Sequence, residues 1–373
     1  MTSTVQEYDP TKPFNEQIRK TIEETWQAAR QWNISIGWDG KRSSFVKKPG
    51  YPWSTDRSIT RGIAFREEAD FTDGIGTKAF LHWQRKSFGA AAQDAAAMVF
   101  DDAIEKCFVP YKLQDHIMIE TDDDERGKPA IHALTRGLTD VCLDHRVLIT
   151  GGETAILNTL NGFEMGITAS GVRLYDPPSG IRSGDAIIGL RSSGIHSNGL
   201  TFARNLYFET LDLTMDHKLA DGKTVGEALT TPTTIYLQEL VELLEKGKEQ
   251  VHGLVHITGG GLSKLHELAP HRDYEIIVDG SAIKPHVIFT DMYGRSQETA
   301  KPLTAESMHT KFNGGTGYAV AVHPDFEQEA MDILGPHNPV RIDQQVRNVV
   351  SGKGHVRIVD SPFGGKDVTY AKG

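Results

Sequence analysis

The sequence predicts an α/β fold built as two domains, and three observations carry that prediction. Short apolar runs at residues 147–150, 186–190 and 318–322, bounded by Gly, Ser and Asn, alternate with longer stretches of helical periodicity. The 373 residues are enough for two cores of ordinary size. Asp176-Pro177-Pro178-Ser179-Gly180 can continue neither a helix nor a central strand, which makes it the best linker candidate.

The elements follow in chain order. Residues 14–31 read as an amphipathic helix, with Phe14, Ile18, Ile22 and Trp26 on one face. Residues 38–60, polar and rich in Gly, Pro and Ser, read as a loop or flap. The alanine-rich stretch 88–105 suits a helix packed closely on its neighbours. Residues 120–130, with Asp122-Asp123-Asp124-Glu125, form a solvated charged turn. A buried strand at 147–150 ends at Gly151-Gly152, and the strand at 186–190 leads through a Gly/Ser/His/Asn loop into a helix from about Gly199. Thr231 is a natural N-cap with Pro232 at the first helical position, for a helix through Ile235, Leu240, Val241 and Leu244. There is no internal repeat.

Bulk composition narrows the function. A net charge of −10 argues against a nucleic-acid partner, which needs a basic surface. Phosphorylated small molecules remain open, because a lysine, backbone amides and a metal suffice locally. Two cysteines, Cys107 and Cys142, are too few for a disulfide framework or a four-thiolate zinc site, and fit a reducing cytosol. The first ten residues lack the basic start and apolar stretch of a signal peptide, and no apolar run nears the roughly 20 residues of a membrane span. A soluble cytoplasmic protein, with no membrane partner, is expected.

Chemistry concentrates in segments that set Gly beside Asp, Glu, Lys, His or Thr. In Asp73-Gly74-Ile75-Gly76-Thr77-Lys78, the glycines let backbone approach an anion, Lys78 adds positive charge, and Asp73 suits magnesium; an ordinary Asp-Gly turn is the plainer alternative. The Walker spacing is absent. On the 88–105 helix, Asp94 and Asp101 lie within about 20° of one another around the axis, with Asp102 offset by about 80°. They form either a solvent-facing stripe or a buried acidic face that needs partners. Gly151-Gly152-Glu153-Thr154 ends a predicted buried strand, where ligands collect in α/β folds, so Glu153 is a candidate for metal and Thr154 for phosphate; a tight turn explains it equally. Ser192-Ser193-Gly194-Ile195-His196-Ser197-Asn198-Gly199 joins a strand to a helix and suits anion binding or simple capping. His256-Ile257-Thr258-Gly259-Gly260-Gly261, leading into a helix at Leu262, implies a steric or anion-binding need for three glycines. Phe312-Asn313-Gly314-Gly315-Thr316-Gly317 precedes the last of the three apolar runs.

In this order and spacing, DGIGTK, QDAAAMVFDD, GGETA, SSGIHSNG, HITGGGL and FNGGTG closely resemble the aminoimidazole ribonucleotide synthetase family. Its superfamily includes selenophosphate synthetase, thiamine monophosphate kinase, the hydrogenase maturation protein HypE and formylglycinamidine ribonucleotide synthase. The resemblance runs from about residue 64 to about residue 325. It implies a PurM-like two-domain α/β (α+β) fold: an extension at 1–60, an ATP-binding domain at 61–175 whose sheet forms a barrel across a homodimer, and a C-terminal domain at 176–373 with a mixed sheet and helices.

Carried over by motif position, Asp73, Asp102 and Glu153 resemble magnesium ligands. Asp73, Gly74, Gly76, Thr77, Lys78, Asp102 and Thr154 correspond to the ATP site. His196, Ser197, Asn198, Thr258, Gly259, Gly260 and Gly261 correspond to the binding site of a phosphorylated small molecule, with Lys78, Asp94 and His196 as the catalytic group. Asp101 stands where the family usually has Asn; periodicity groups it with Asp94, whereas the family pattern selects Asp102. The family's Glu-Met-Pro-Gly-Met-Tyr after Gly-Gly-Glu-Thr-Ala is here Ile156-Leu157-Asn158-Thr159-Leu160, and its Gly-Ala-Glu-Pro is Lys106-Cys107-Phe108-Val109-Pro110. The resemblance implies a divergent cyclo-ligase that turns formylglycinamidine ribonucleotide and ATP into aminoimidazole ribonucleotide, ADP and phosphate. A superfamily kinase or amide-activating enzyme with another substrate is the alternative.

Overall fold

A computed structural model describes residues 13–32, 34–39, 42–47, 67–269, 273–350 and 352–371. The chain begins with α1 (Pro13–Glu23), which tightens into a 3-10 segment (Glu24–Arg30) and is followed by a hairpin of β1 (Ile34–Asp39) and β2 (Arg42–Lys47). Then come β3 (Glu68–Gly74), α2 (Lys78–Arg85), α3 (Phe88–Glu105), β4 (Phe108–Ile119), α4 (Gly127–His145), β5 (Leu148–Ile156) and β6 (Phe163–Arg173). The four strands β3–β6 make one sheet in the order β3-β6-β4-β5. β4 and β5 pair in parallel and are joined by α4, whereas β6 runs antiparallel to both β3 and β4.

Beyond the Asp176–Gly180 stretch, which has no regular structure, lie β7 (Ala186–Arg191), α5 (Leu200–Arg204), α6 (Val225–Leu229), α7 (Leu237–Gly247), β8 (Val251–His256) and β9 (Tyr274–Asp279). α8 (Val287–Ser296), α9 (Ala305–Lys311), β10 (Thr316–Val322), α10 (Glu327–Ile333), β11 (Val340–Arg341), β12 (Asp343–Asn348), β13 (His355–Val359) and β14 (Val368–Ala371) complete the chain. This half holds two four-stranded sheets, β11-β7-β10-β8 and β12-β9-β13-β14. The second is mixed, because β9 and β13 run parallel.

α3 joins the halves. Its alanines at 91, 92, 95, 96, 97 and 103 are buried, which lets the helix backbone approach β3, β4 and β6 on one side and α7 and β8 on the other. Among the described residues, no helix is long and apolar enough to cross a membrane. Cys107 and Cys142 are free and buried.

The alternation of strands and helices holds, and several boundaries move. The expected 14–31 helix is α-helical only to Glu23, with Ile22 buried and Ile18 and Trp26 packed on the core; the Phe14 side chain lies outside the described residues. Part of the expected 38–60 loop belongs to the β1–β2 hairpin, and residues 48–60 lie outside the described residues. The charged turn ends early, because Asp123 Oδ1 accepts the N–H groups of Glu125, Arg126 and Gly127 and so starts α4. The 147–150 strand continues through Gly151 to Ile156, so Gly-Gly-Glu-Thr lies within an edge strand, not in a loop after it. The helix expected from Thr231 starts at Leu237, because residues 231–236 are drawn into extended contacts with α2 and α3. The helix expected at Leu262 is a 3-10 segment, Gly261–Leu268.

Candidate active site

One face of α3 carries Asp94, Asp101 and Glu105, which successive steps of seven and four residues bring onto the same side of a helix. All three are buried, so the solvent-facing alternative fails. Each is matched by a group from the C-terminal half. Thr233 donates to Asp94 Oδ1 through its N–H at 2.8 Å and its hydroxyl at 2.5 Å. The Tyr236 N–H donates to Asp101 Oδ1 at 2.9 Å, and the His256 N–H donates to Glu105 Oε2 at 3.0 Å. Asp102, one step around the helix and 43% exposed, meets His256 Nδ1 at 2.8 Å. Buried carboxylates need such donors, and here the donors hold the cleft-forming segments in place.

Asp94 is the most heavily bonded of the four. Lys78 Nζ, from the first turn of α2, donates to Asp94 Oδ1 at 2.6 Å and to the Thr231 carbonyl at 2.7 Å. His82, one helical turn further along α2, places Nε2 2.8 Å from Asp94 Oδ2 and Nδ1 2.7 Å from Ser87 Oγ. Both Lys78 and Asp94 are 0% exposed. Burial alone would raise the Asp94 carboxyl, yet the Lys78 charge and the His82 hydrogen bond hold it below the usual carboxylate range. Lys78, expected to face a phosphate, is enclosed in this conformation and neutralises Asp94.

Asp101 is held differently. Burial pushes its carboxyl up to about 7, against the pull of His256 and the Tyr236 N–H. Its Oδ2 has no hydrogen-bond partner among the described residues and stands 4.0 Å from the equally unpartnered His256 Nε2. The His256 ring stacks on Tyr318, with centroids 5.7 Å apart.

The glycine-rich loops close over this face. Thr77 Oγ1 and Thr201 Oγ1 lie 3.1 Å apart, joining the 73–78 segment to the start of α5. Ser193 Oγ donates to the Pro232 carbonyl at 2.5 Å, and Ser197 Oγ lies 3.3 Å from Thr233 Oγ1. His196 is buried, with a φ of 58° that L-residues rarely adopt, and its Nε2 accepts the Ser193 N–H at 3.1 Å. Burial and the Lys78 charge hold the ring well below its ordinary value, so it is neutral and Nδ1 carries the proton. That Nδ1, like Asn198 Nδ2, is buried without a partner among the described residues. A Cβ on Gly259 would lie 3.5 Å from Asn198 Oδ1, so the two loops face one another. Thr258 Oγ1 is held by Lys264 Nζ at 3.2 Å, and a Cβ on Gly261 would strike the His309 carbonyl at 2.3 Å. Gly317 has the same need: a Cβ there would meet Tyr236 Oη at 2.1 Å and His196 Cε1 at 2.6 Å. Beside the 231–235 loop is a cavity of about 370 Å³ lined by Gln93, His145, Ser193, Thr231, Pro232 and Ile235.

Not every expected residue joins this cleft. Asp73 is exposed at the end of β3 and accepts its own Gly74 N–H, and Gly76 N–H donates to Glu164 Oε1 at 3.0 Å. Glu153 and Thr154 are exposed on the edge strand β5. Among the described residues there is no group of three or more His, Cys, Asp or Glu side chains able to hold a metal. Asp73, Asp102 and Glu153 do not come together as such a group within one protomer. Sequence reasoning missed His82, Glu105, Glu164, Thr233 and Tyr236. His82 lies at i+4 from Lys78 and Glu105 at i+4 from Asp101, so helical spacing was a usable signal for both. Thr233 and Tyr236 had none, because their roles depend on a contact more than 130 residues away in sequence.

Known proteins show similar sequences and folds. Residues 69–172 match "AIR synthase related protein, N-terminal domain", and residues 182–342 match "AIR synthase related protein, C-terminal domain". The phosphoribosylformylglycinamidine cyclo-ligase of Methanococcus maripaludis is 34% identical over 291 residues, covering 77% of this chain and 79% of the relative. That of Thermococcus kodakarensis is 36% identical over 270 residues, covering 71% and 75%. The fold is shared with the thiamine-monophosphate kinase of Stenotrophomonas maltophilia (TM-score 0.59, 15% identity, 95% of this chain and 98% of that one). It is also shared with the hydrogenase maturation protein HypE in complex with ATP (TM-score 0.57, 17% identity, 83% and 86%).

Proposed function

The chain belongs to the AIR synthase related family, and from that premise we propose that it is a phosphoribosylformylglycinamidine cyclo-ligase of purine biosynthesis. The reaction converts formylglycinamidine ribonucleotide and ATP to aminoimidazole ribonucleotide, ADP and phosphate. The observation that carries this reading is the convergence of the 73–78, 193–199 and 256–261 segments with the acidic face of α3 at the boundary of the two halves. The named relatives, 34–36% identical over most of their length, point to the same activity.

In the proposed chemistry the substrate amide oxygen takes the γ-phosphoryl group of ATP, which turns a poor leaving group into a good one. An amidine nitrogen of the same molecule then attacks that carbon, and phosphate leaves with the oxygen. The second step is intramolecular, so positioning can supply up to about 7–11 kcal/mol in favourable systems. Residues 196–198 and 258–261 take the substrate side, where the unpartnered His196 Nδ1–H and Asn198 amide are donors for its oxygens. Asp73, Gly74, Gly76, Thr77, Lys78, Asp102 and Thr154 take the nucleotide side. Asp94 holds Lys78 in its enclosed conformation and anchors the 231–236 loop through Thr233. Magnesium would accompany the nucleotide as its counter-ion and would neutralise charge on the phosphates.

We further propose a cytoplasmic homodimer, with the 61–175 sheet meeting its copy across a two-fold axis. Glu153 and Thr154 on the exposed edge strand would then face the partner. ADP release by the purified chain, with and without formylglycinamidine ribonucleotide, tests the function. ADP formation that depends on this substrate and yields the imidazole product is expected. ADP release indifferent to it, or driven by another acceptor, overturns the reading.

A further inference from the structure

Lys78 cannot serve a nucleotide phosphate while it is enclosed on Asp94, and releasing it would strand a buried carboxylate. The structure supplies a replacement. His82 lies on the far side of the same carboxylate, 0% exposed, with Nε2 2.8 Å from Asp94 Oδ2. Its other nitrogen, Nδ1, lies 2.7 Å from Ser87 Oγ, a hydroxyl that can donate to a bare nitrogen or accept from a protonated one. The ring can therefore gain a proton without leaving an orphaned polar atom.

We propose that His82 is the positioning residue of a proton-coupled release: when nucleotide draws Lys78 off Asp94, His82 takes one proton from solvent and becomes the counter-ion of Asp94. The proton balance is explicit. Before release, neutral His82 donates Nε2–H to Asp94 and accepts the Ser87 hydroxyl at Nδ1. Afterwards the new proton sits on Nδ1 and is donated to Ser87 Oγ, while Lys78 remains an ammonium and Asp94 a carboxylate. The Thr233 N–H and hydroxyl stay on Asp94 Oδ1, so the 231–236 loop keeps its anchor.

The electrostatics agree with this exchange. Burial holds His82 below its ordinary value against the pull of Asp94, and the Lys78 charge adds to the lowering. Removing Lys78 leaves Asp94 as the dominant charge beside the ring. The charged and titratable groups around it are Lys78 on its own helix and Asp94 from α3. His196 senses both Lys78 and Asp94. Of the other elements on α2, α6 contributes Glu227, whose charge acts with that of Arg85, and β6 contributes Glu164, which is bonded to Gly76.

This inference rests on the proposed Lys78–phosphate contact, and the experiment separates the two. Titration calorimetry of magnesium–nucleotide binding is run near neutral pH in two buffers of different ionisation enthalpy, on the wild type, Lys78→Met and His82→Gln. Uptake of close to one proton in the wild type and none in His82→Gln is expected. Nucleotide affinity should fall with rising pH by up to about tenfold per pH unit in the wild type only. Absence of uptake in the wild type, or uptake that persists in His82→Gln, overturns the proposal. Undiminished nucleotide affinity in Lys78→Met overturns the Lys78 reading itself. If His82→Gln does not fold, Ser87→Ala serves in its place: it removes the acceptor of the new proton and should reduce the uptake, and unchanged uptake overturns the proposal.

Discussion

Asp102 on α3 and His256 at the end of β8 meet at 2.8 Å, a carboxylate from one half of the chain against an imidazole from the other. The contact is half open to solvent on the Asp102 side and fully buried on the His256 side. It lies between the acidic helix and the glycine-rich loop that follows β8, where movement of either half would be felt at both proposed ligand sites.

Asp102→Asn should leave the fold intact, because an amide of the same shape is half exposed there, and should lower turnover at least about tenfold by removing the charge. Substrate-dependent ADP release, compared with the thermal midpoint, tests this. Turnover within about twofold of wild type would exclude a charge role for Asp102.

The Lys78–Asp94 pair should behave as a buried ion pair. Asp94→Leu alone strands the buried Lys78 ammonium and should cost about 3–5 kcal/mol, Lys78→Met should cost less because His82 can take a proton beside Asp94, and the double variant should recover much of the lost stability without recovering activity. Urea unfolding of the three variants gives the coupling. Additive losses would show that the two groups do not share one environment.

Asp101 predicts a specific pH dependence of stability. Its folded-state value, about 7, is raised above the ordinary 3.8 by burial. A raised value means that the contribution is fully present below about pH 4 and lost as pH rises through about 7. Asp101→Asn keeps an oxygen for the Tyr236 N–H and removes the cost of charging a buried carboxyl. Each pH unit between the ordinary and the raised value corresponds to about 1.4 kcal/mol. The variant should therefore match wild type only below about pH 4, exceed it by about 1–2 kcal/mol near pH 5 and by a few kcal/mol more near pH 8, as read by denaturant titration at the last two pH values. Equal stability at both would mean that Asp101 does not titrate in this range.

The N-terminal segment should stabilise the edge of the first sheet. Thr25 Oγ1 accepts the Ile149 N–H at 3.0 Å, and Trp26 Nε1 donates to the Ile149 carbonyl at 2.8 Å, so side chains of the 3-10 segment satisfy ladder groups of β5. Thr25→Val preserves shape and leaves a buried N–H unpaired, for an expected loss of about 1–3 kcal/mol. Urea unfolding checks it; a loss below about 0.5 kcal/mol would mean that another group takes the N–H.

Assembly is testable by sedimentation at several dilutions, with and without magnesium–ATP. A homodimer that tightens with nucleotide is expected, since a ligand that favours the dimer shifts the equilibrium by mass action. A fully active monomer at micromolar concentration, indifferent to nucleotide, would remove the two-fold arrangement proposed for β5.

What the sequence determined by itself was whatever is written in local spacing. The α3 boundaries, the shared face of Asp94 and Asp101, the strands at 186–190 and 318–322, and the glycine-rich segments all follow from periodicity or backbone need within a few residues. The order of those segments was also enough to recognise the family. Only the tertiary structure decided what the polar groups do. Lys78 looked like a free cation and is spent on Asp94; Thr231-Pro232 looked like a helix start and is held open as a loop by α2 and α3; Gly151 to Thr154 looked like a loop and continue an edge strand. Local propensities are worth a fraction of a kcal/mol per residue, whereas leaving a buried carboxylate or ammonium unpaired costs several. Lys78 and Asp94 stand 16 residues apart, but the other partners of the acidic face, at Thr233, Tyr236 and His256, lie more than 130 residues away in the chain and become visible only once the halves have packed.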